Sequence, residues 1–452
     1  MITFATARRA PSTADVVVLA VFSDLADSRP SDLDWASIEA RGFEGKSGQV
    51  QIVTKQGDSL VAVVGLGEID SVDTMAVRKA GAAIAKALKK HKTIATPLLE
   101  DLPARIERNA AAQALAEGIV LGAYGFERYK SEGAVVIALY GTPQTYALTE
   151  KLTEDRIPGT SPGFGRADAA DGTRYPYIFP IAATYWSQAT AAVHFVKQQL
   201  GSLHGKKIAY LFYDNPAGRE PLPILEDLAT REGFELKTFA VPPPGLEIGA
   251  QALDIAHRFH ADFVIAHLFG RSPSVSIKEL NRVGYPLNKV LSFVWGSAEA
   301  DIRGAGGFSA ADGYYTMQFA GVGSDYPVLR DIRAMYQKAG KQPPSQMAST
   351  VYYNRGVLQA ALAVQAIRNA LQAKAGGEIT GEDVKKGFER IKDFTLGGLV
   401  PPIAITPENH EGGGWVQIWQ VKAGKLTRVT DWFKAYPDVI AQHLKEAHAS
   451  QS

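Results

Sequence analysis

The chain has 452 residues, 46% hydrophobic and 21% charged, the composition of a soluble globular protein with room for two or three domains. Lys and Arg total 48 against 47 for Asp and Glu, a formal net charge of +1, so no global field draws in nucleic acid or an anionic membrane. Cysteine is absent, which excludes disulfides, thiolate nucleophiles and Cys-based metal sites and leaves the compartment open.

From residue 2 to about residue 132, short apolar runs alternate with helical patterns, the rhythm of a sheet with helices packed on it. The predicted strands are ITFA (2–5), VVVLAVF (16–22), GQVQIVT (48–54), SLVAVVGLG (59–67) and TIATPLL (93–99), with one helix over 74–92 and another ending near Tyr129. VVVLAVF is too short to cross a bilayer. Asp15 and Asp24 flank it where a signal peptide would carry basic residues and a cleavage site, so it reads as a buried strand and no export signal is recognised. In the helix over 74–92, Val77, Ala80, Ile84 and Leu88 recur at three- and four-residue steps. Arg78, Lys79, Lys86, Lys89 and Lys90 fall largely elsewhere and form a solvated basic face. GFEGKS (42–47) has two residues too few for a phosphate-binding loop, and GLGEID (65–70) lacks the third glycine of a dinucleotide fingerprint.

From residue 133 the alternation becomes regular. Helices over 144–155, 185–200, 222–232, 249–260 and 274–283 separate the strands AVVIALYG, KKIAYLFYD, LKTFAV, DFVIAHLF and KVLSFVW, so parallel βαβ units follow. A long helix over 351–373, a shorter one over 381–390 and a hairpin broken at Ala423-Gly424 close the chain. Ligands of such sheets sit outside the carboxyl ends of the strands, here LYGTPQT, FYDNPAGRE, HLFGRSPS and FVWGSAE.

In the first of these loops Thr142 and Gln144 open a helix and Thr145 falls in its first turn, an arrangement that suits a carboxylate and equally suits plain capping. Tyr185, Trp186, Phe269 and Trp295 stand where they can wall a cleft around an apolar or aromatic ligand body. Arg271 and Glu299 follow two of these aromatics and would meet ligand charges or form surface ion pairs. Asp214-Asn215 ends a strand, yet no His-x-x-x-His pair with a glutamate and no Gly-x-Ser-x-Gly elbow occurs anywhere to partner it. The segment reads as a binding rim with Asn215 and Arg219 as contacts, the alternative being a turn and cap before Pro216. NHEGGGW (409–415) reads as a flexible loop rather than a metal site.

Two resemblances add to this. Residues 1–132, through VAVVGLGEIDSVDTMAVRKAGAAIAKAL and AAQALAEGIVLGAYGFERYKS, resemble the N-terminal domain of the leucyl aminopeptidase family. That implies an α/β domain of the macro-like kind. The family's metal-binding catalytic segment, of the type NTDAEGR, does not occur, so no catalytic residue, metal or cofactor is carried over. Residues 133–452, through LYGTPQTYALTEKLTEDRIPGTSPGFG, YPYIFPIAATYWSQATAAVHFVKQQL, ADFVIAHLFGRSPSVSIKEL and TLGGLVPPIAITPENHEGGGWVQIWQV, resemble a periplasmic solute-binding protein of the branched-chain amino acid ABC transporter type.

This second resemblance implies an α/β, two-lobed type I periplasmic-binding-protein fold with parallel sheets. Lobe I is expected at 133–183 and 320–395 and lobe II at 184–319 and 396–440, with hinges near 182–184, 319–322 and 396–401. It implies non-enzymatic binding of a small carboxylate ligand (a branched-chain or aromatic amino acid, or an aromatic acid), docking on an ABC permease and a periplasmic location. By position Thr142, Gln144, Thr145, Ser161 and Gly163 inherit the hold on the α-carboxylate. Members of that family begin with a signal peptide and about three further strands of lobe I, whereas this chain enters the pattern at AVVIALYG, with the aminopeptidase-like domain in the missing stretch. The join falls at 131–135 and marks a fusion, natural or constructed. The alternatives are a cytoplasmic sensor or assembly protein that oligomerises through its N-terminal domain, or a chimera with no working site.

Overall fold

The computed structural model describes residues 4–5, 14–24, 29–56, 59–123, 137–375 and 377–449. The chain divides into two compact units, Met1–Ser131 and Glu132–Ser452. The expected strand at 2–5, taken whole, and the join at 131–135 lie outside the described residues.

The first unit is built from β1 (Val16–Phe22), α1 (Trp35–Ala40), β2 (Val50–Gln56), β3 (Ser59–Gly67), α2 (Thr74–Ala87), β4 (Ile94–Ala95) and α3 (Arg108–Ala123). Its sheet has the order β2-β3-β1-β4, with β1 parallel to β3 and β4 and with β2 antiparallel to β3. Val16, Val18, Ala62 and Val64 face Val77, Ala80 and Ile84 of α2, while Val21, Val61 and Val63 face Ile38 and Phe43. Burial on both faces explains why β1 and β3 are continuous apolar runs rather than alternating ones. Asp34 and Asp73 cap α1 and α2 by accepting from the backbone N–H of Ser37 and Ala76. Helices α2 and α3 cross closely at two glycines. A Cβ on Gly118 would lie 2.0 Å from the Arg78 carbonyl oxygen, and one on Gly81 would lie 2.5 Å from that of Leu115.

The second unit contains two sheets. The smaller has the parallel order β5-β6-β7, from β5 (Ile137–Ala138), β6 (Gly159–Thr160) and β7 (Ile178–Phe179), with α4 (Thr142–Asp155) between the first two. The larger has the order β14-β13-β12-β11-β10-β8-β9. The chain supplies it through α5 (Tyr185–Leu200), β8 (Lys207–Tyr213), α6 (Pro216–Arg219), α7 (Leu222–Glu232), β9 (Glu235–Val241), α8 (Gly249–Leu253), β10 (Phe263–His267), α9 (Ser272–Arg282), β11 (Val290–Ser292), α10 (Glu299–Gly304) and β12 (Tyr315–Gln318). It then returns through α11 (Pro327–Lys338), α12 (Gln346–Ser349), α13 (Val351–Ala373) and α14 (Gly381–Phe388), and ends in the hairpin β13 (Gln417–Lys422) and β14 (Lys425–Arg428) followed by α15 (Pro437–Ala449).

Strands β8 to β12 pair in parallel, and β13 and β14 add antiparallel to that edge. Helices α13 and α14 return to the smaller sheet, where Phe179 of β7 stacks on Phe388 at 4.6 Å and Gln359 donates to the Thr160 hydroxyl at 2.9 Å. The segments that link the two sheets bond one another: Gly321 N–H donates to Leu399 O at 2.8 Å and Ile181 N–H to His410 O at 3.2 Å.

Several elements differ from the sequence reading. The strand expected over KVLSFVW stops at Ser292, because a 3-10 turn over Val294–Gly296 follows at once. The helix over 249–260 keeps α-geometry only to Leu253 and widens into a π-helical turn over Asp254–Phe259. NHEGGGW is a buried strap. His410 is buried, stacked on Phe179 at 3.9 Å and bonded to Ile178 O at 2.9 Å, and the buried Glu411 accepts the Thr184 N–H at 2.7 Å. Its three glycines take positive φ, which lets the backbone fold tightly enough for those side chains to point inward.

Candidate ligand-binding cleft

The smaller lobe contributes two loops that lie apart in sequence. Gly141, at φ 123°, follows β5 and is the N-cap position of α4, and the Thr145 hydroxyl donates to its carbonyl at 3.0 Å. That hydroxyl also lies 2.8 Å from Ser161 Oγ, while the Gly165 N–H donates to Thr142 Oγ1 at 3.1 Å. Thr142, Thr145 and Ser161 are all buried. The turn after β5 and the loop after β6 are therefore tied together by the Thr145–Ser161 bond and by Gly165 on Thr142. Gln144 of the same turn is exposed. Gly163, at φ 70°, carries the loop past Phe319, whose Cε1 would stand 2.8 Å from an added Cβ.

Trp295 of the larger lobe meets this loop directly. Its Nε1 donates to the Gly163 carbonyl and its ring stacks on Phe164 at 4.3 Å, with the exposed Tyr140 edge-on at 6.3 Å. Tyr352 of α13 lies nearly parallel to Trp295 at 6.1 Å. The early end of β11 produces this contact, because the 3-10 turn swings Trp295 out of the sheet toward the other lobe.

The other residues singled out from sequence distribute as follows. Tyr185 is fully buried behind the cluster, edge-on to His267 at 4.4 Å, and its hydroxyl has no hydrogen-bond partner among the described residues. Trp186 is buried and donates to Glu220 O at 3.1 Å. Phe269 is half-buried against Tyr213. Arg271 is exposed at the start of α9. Glu299 Oε2 accepts the Val351 N–H at 2.8 Å and so holds the start of α13. Asn215 caps α6 by accepting from Gly218 N–H at 2.9 Å, the turn-and-cap alternative, and the exposed Arg219 forms an ion pair with Asp214 at 2.6 Å.

Residues missed in the sequence reading sit at the centre. Glu220, next to Arg219, reaches across the lobes: one carboxyl oxygen accepts the Ala167 N–H, and the other is buried without a partner among the described residues. Although the residue's stem reaches solvent, burial of the carboxyl pushes its pKa up to about 8. The Asp168 charge adds to this, while the Ala167 N–H and Arg166 oppose it. Burial holds the His267 imidazole down at about 3, so the ring is neutral.

Arg355 of α13 is 2% exposed and bonds Gln318 Oε1 at 2.7 Å. Its guanidinium lies 4.9 Å from the Phe319 ring, 5.2 Å from Tyr352 and 5.4 Å from Trp295. A signal for Arg355 existed in the sequence: it falls on the α13 face that carries the buried Val351, Leu358 and Leu362, where a charge has no ordinary place. Glu220 carried no such signal.

Residues 126–425 match the family described as "Periplasmic binding protein", about two thirds of the chain, and the chain belongs to that family. Residues 19–133 match the "Cytosol aminopeptidase family, N-terminal domain". Among solved structures the chain is similar to one described as an ABC transporter permease from the Pseudomonas fluorescens group, with 33% identity, 74% of this chain and 83% of that chain covered, and a TM-score of 0.66. A branched-chain amino acid ABC transporter from Thermus thermophilus with bound valine shares the fold at 22% identity, covering 82% and 93%, with a TM-score of 0.59. So does a solute-binding protein of an ABC transporter from Rhodopseudomonas palustris HaA2 in complex with p-hydroxybenzoic acid, at 20% identity, covering 81% and 95%, with a TM-score of 0.54.

The first unit is similar to a probable cytosol aminopeptidase of Picosynechococcus sp., 36% identical over 143 residues. That match covers 29% of each chain, so this chain spans about three tenths of the length of that relative. The binding-protein fold is thus that of the type I proteins with two α/β lobes, preceded by an aminopeptidase-type N-terminal domain.

Proposed function

We propose that this protein is a non-enzymatic receptor of an ABC importer, closing its two lobes over a small carboxylate with an apolar or aromatic body and presenting the closed face to a membrane permease. The observation that carries this reading is the contact across the lobes at Trp295, which joins the Gly163 carbonyl and the Phe164 ring beside the Thr142, Thr145 and Ser161 hydroxyls. The Thr142 hydroxyl and the start of α4 on one side suit a carboxylate, and rings on the other suit an apolar body. The bound valine and p-hydroxybenzoic acid of the two fold relatives agree in chemistry with such a ligand. Hinge closure would turn at 182–184, 319–322 and 396–401, the last two joined by the Gly321 N–H to Leu399 O bond.

The test is a thermal-shift screen against leucine, isoleucine, valine, phenylalanine, benzoate and 4-hydroxybenzoate, followed by calorimetry on any hit. A ligand bound by the folded state alone raises the midpoint with concentration. A flat response across the panel would reject the receptor reading for these carboxylates. Assembly through the first unit is tested by light scattering on the whole chain.

A further inference from the structure

We propose that Arg355 is the anion-binding residue of the cleft, taking the carboxylate of a ligand whose apolar body lies against Trp295 and Tyr352. This rests on the receptor reading above and assigns the charge recognition within it. In the hydroxyl cluster Thr145 donates to the Gly141 carbonyl and Ser161 to the Gly165 carbonyl, so Thr142, which accepts from the Gly165 N–H, is the member whose O–H these bonds leave open, a single neutral donor beside a charged ligand. Arg355 has the reverse character. It is buried, and its Nε and Nη1 have no hydrogen-bond partner among the described residues.

The acids near Arg355 are engaged elsewhere. Asp301 accepts from Ala298 N–H at 3.0 Å and from the Tyr352 hydroxyl at 3.4 Å, and Glu299 holds the Val351 N–H. A buried guanidinium with open N–H groups is costly unless an anion completes it. Planar carboxylates are the natural complement of this group.

The position fits. Arg355 packs on the rings of Phe319 and Trp295, the two that touch Gly163. One helical turn further along α13, Gln359 bonds Thr160, the neighbour of Ser161. The guanidinium therefore lies against the rings that meet the Gly163 loop.

The experiment uses the full chain with Arg355→Met and Arg355→Lys. Thermal midpoints are read without ligand and with 4-hydroxybenzoate, L-phenylalanine or L-leucine, each paired with its neutral amide. The expected result is a rise of several degrees for at least one acid and none for its amide. Arg355→Met should weaken that acid at least tenfold while its unliganded midpoint stays equal to the wild type or rises, because an unpaired buried charge has been removed. Arg355→Lys should be intermediate. Equal binding of the acid by wild type and Arg355→Met would overturn the proposal and leave the receptor reading intact. If wild type binds none of the acids, the unliganded midpoints decide: a higher Arg355→Met midpoint supports an anion site with a different ligand, and a fall of several degrees makes Arg355 a structural tether and overturns it.

Discussion

Replacing Glu220 by Gln should abolish a loss of stability that the wild-type protein suffers between pH 6.5 and 8.5. The carboxyl lies between the lobes, with one oxygen on the Ala167 N–H and the other buried without a partner among the described residues. Burial raises its pKa from 4.5 to about 8, with Asp168 adding to the rise and the Ala167 N–H and Arg166 opposing it. A raised acid means that the folded state keeps a proton the unfolded chain has already lost. Its contribution is complete below pH 4.5 and disappears as pH rises through about 8. At about 1.4 kcal/mol per pH unit the full interval amounts to about 5 kcal/mol, an upper figure because water can reach the stem of the side chain.

About 2 kcal/mol of that falls between pH 6.5 and 8. His267 acts in the opposite sense, since burial holds it near 3 and only the unfolded chain protonates there, but its effect is complete by about pH 6.5. Asp301, raised by burial to about 6, has finished most of its change by then too. Urea unfolding at pH 6.5, 7.5 and 8.5 measures the slope directly. Wild type should lose about 2 kcal/mol and Glu220→Gln almost none. Parallel losses in the two proteins would refute the reasoning.

Three further outcomes follow from the packing. Trp295→Phe keeps the stack on Phe164 and loses the indole bond to Gly163, so it should cost about 1 kcal/mol and speed ligand release, whereas Trp295→Ala should cost about 3 kcal/mol; denaturant unfolding separates the two. Gly163→Ala would place a methyl 2.8 Å from Phe319 at a φ of 70°, so it should destabilise by about 2 kcal/mol and weaken binding in calorimetry. Gly118→Ala drives a methyl to 2.0 Å from the Arg78 carbonyl and should force α2 and α3 apart at a cost of about 3 kcal/mol, read as faster amide exchange in those two helices.

The order of elements followed from local pattern. Helices α5, α7 and α13 begin and end where apolar periodicity and caps place them, and the paired apolar runs β1 and β3 announce a sheet covered on both faces. Helix α15 was missed, although Val439 at its start is buried against the larger lobe, because a terminal amphipathic stretch carries little signal until its partner surface exists.

By itself the sequence determined the two resemblances, the alternation of strand and helix and the loops at the carboxyl ends of the strands, because these depend on short-range periodicity and on motifs read residue by residue. The tertiary structure decided which members of those loops meet. It spent Arg219 on Asp214, Glu299 on the start of α13 and Asn215 on a cap, and it brought Glu220, Phe164 and Arg355 inward from segments up to about 190 residues apart. Burial and partner choice are set by contacts between distant segments, and a charge becomes costly, and therefore informative, only once those contacts have removed its water.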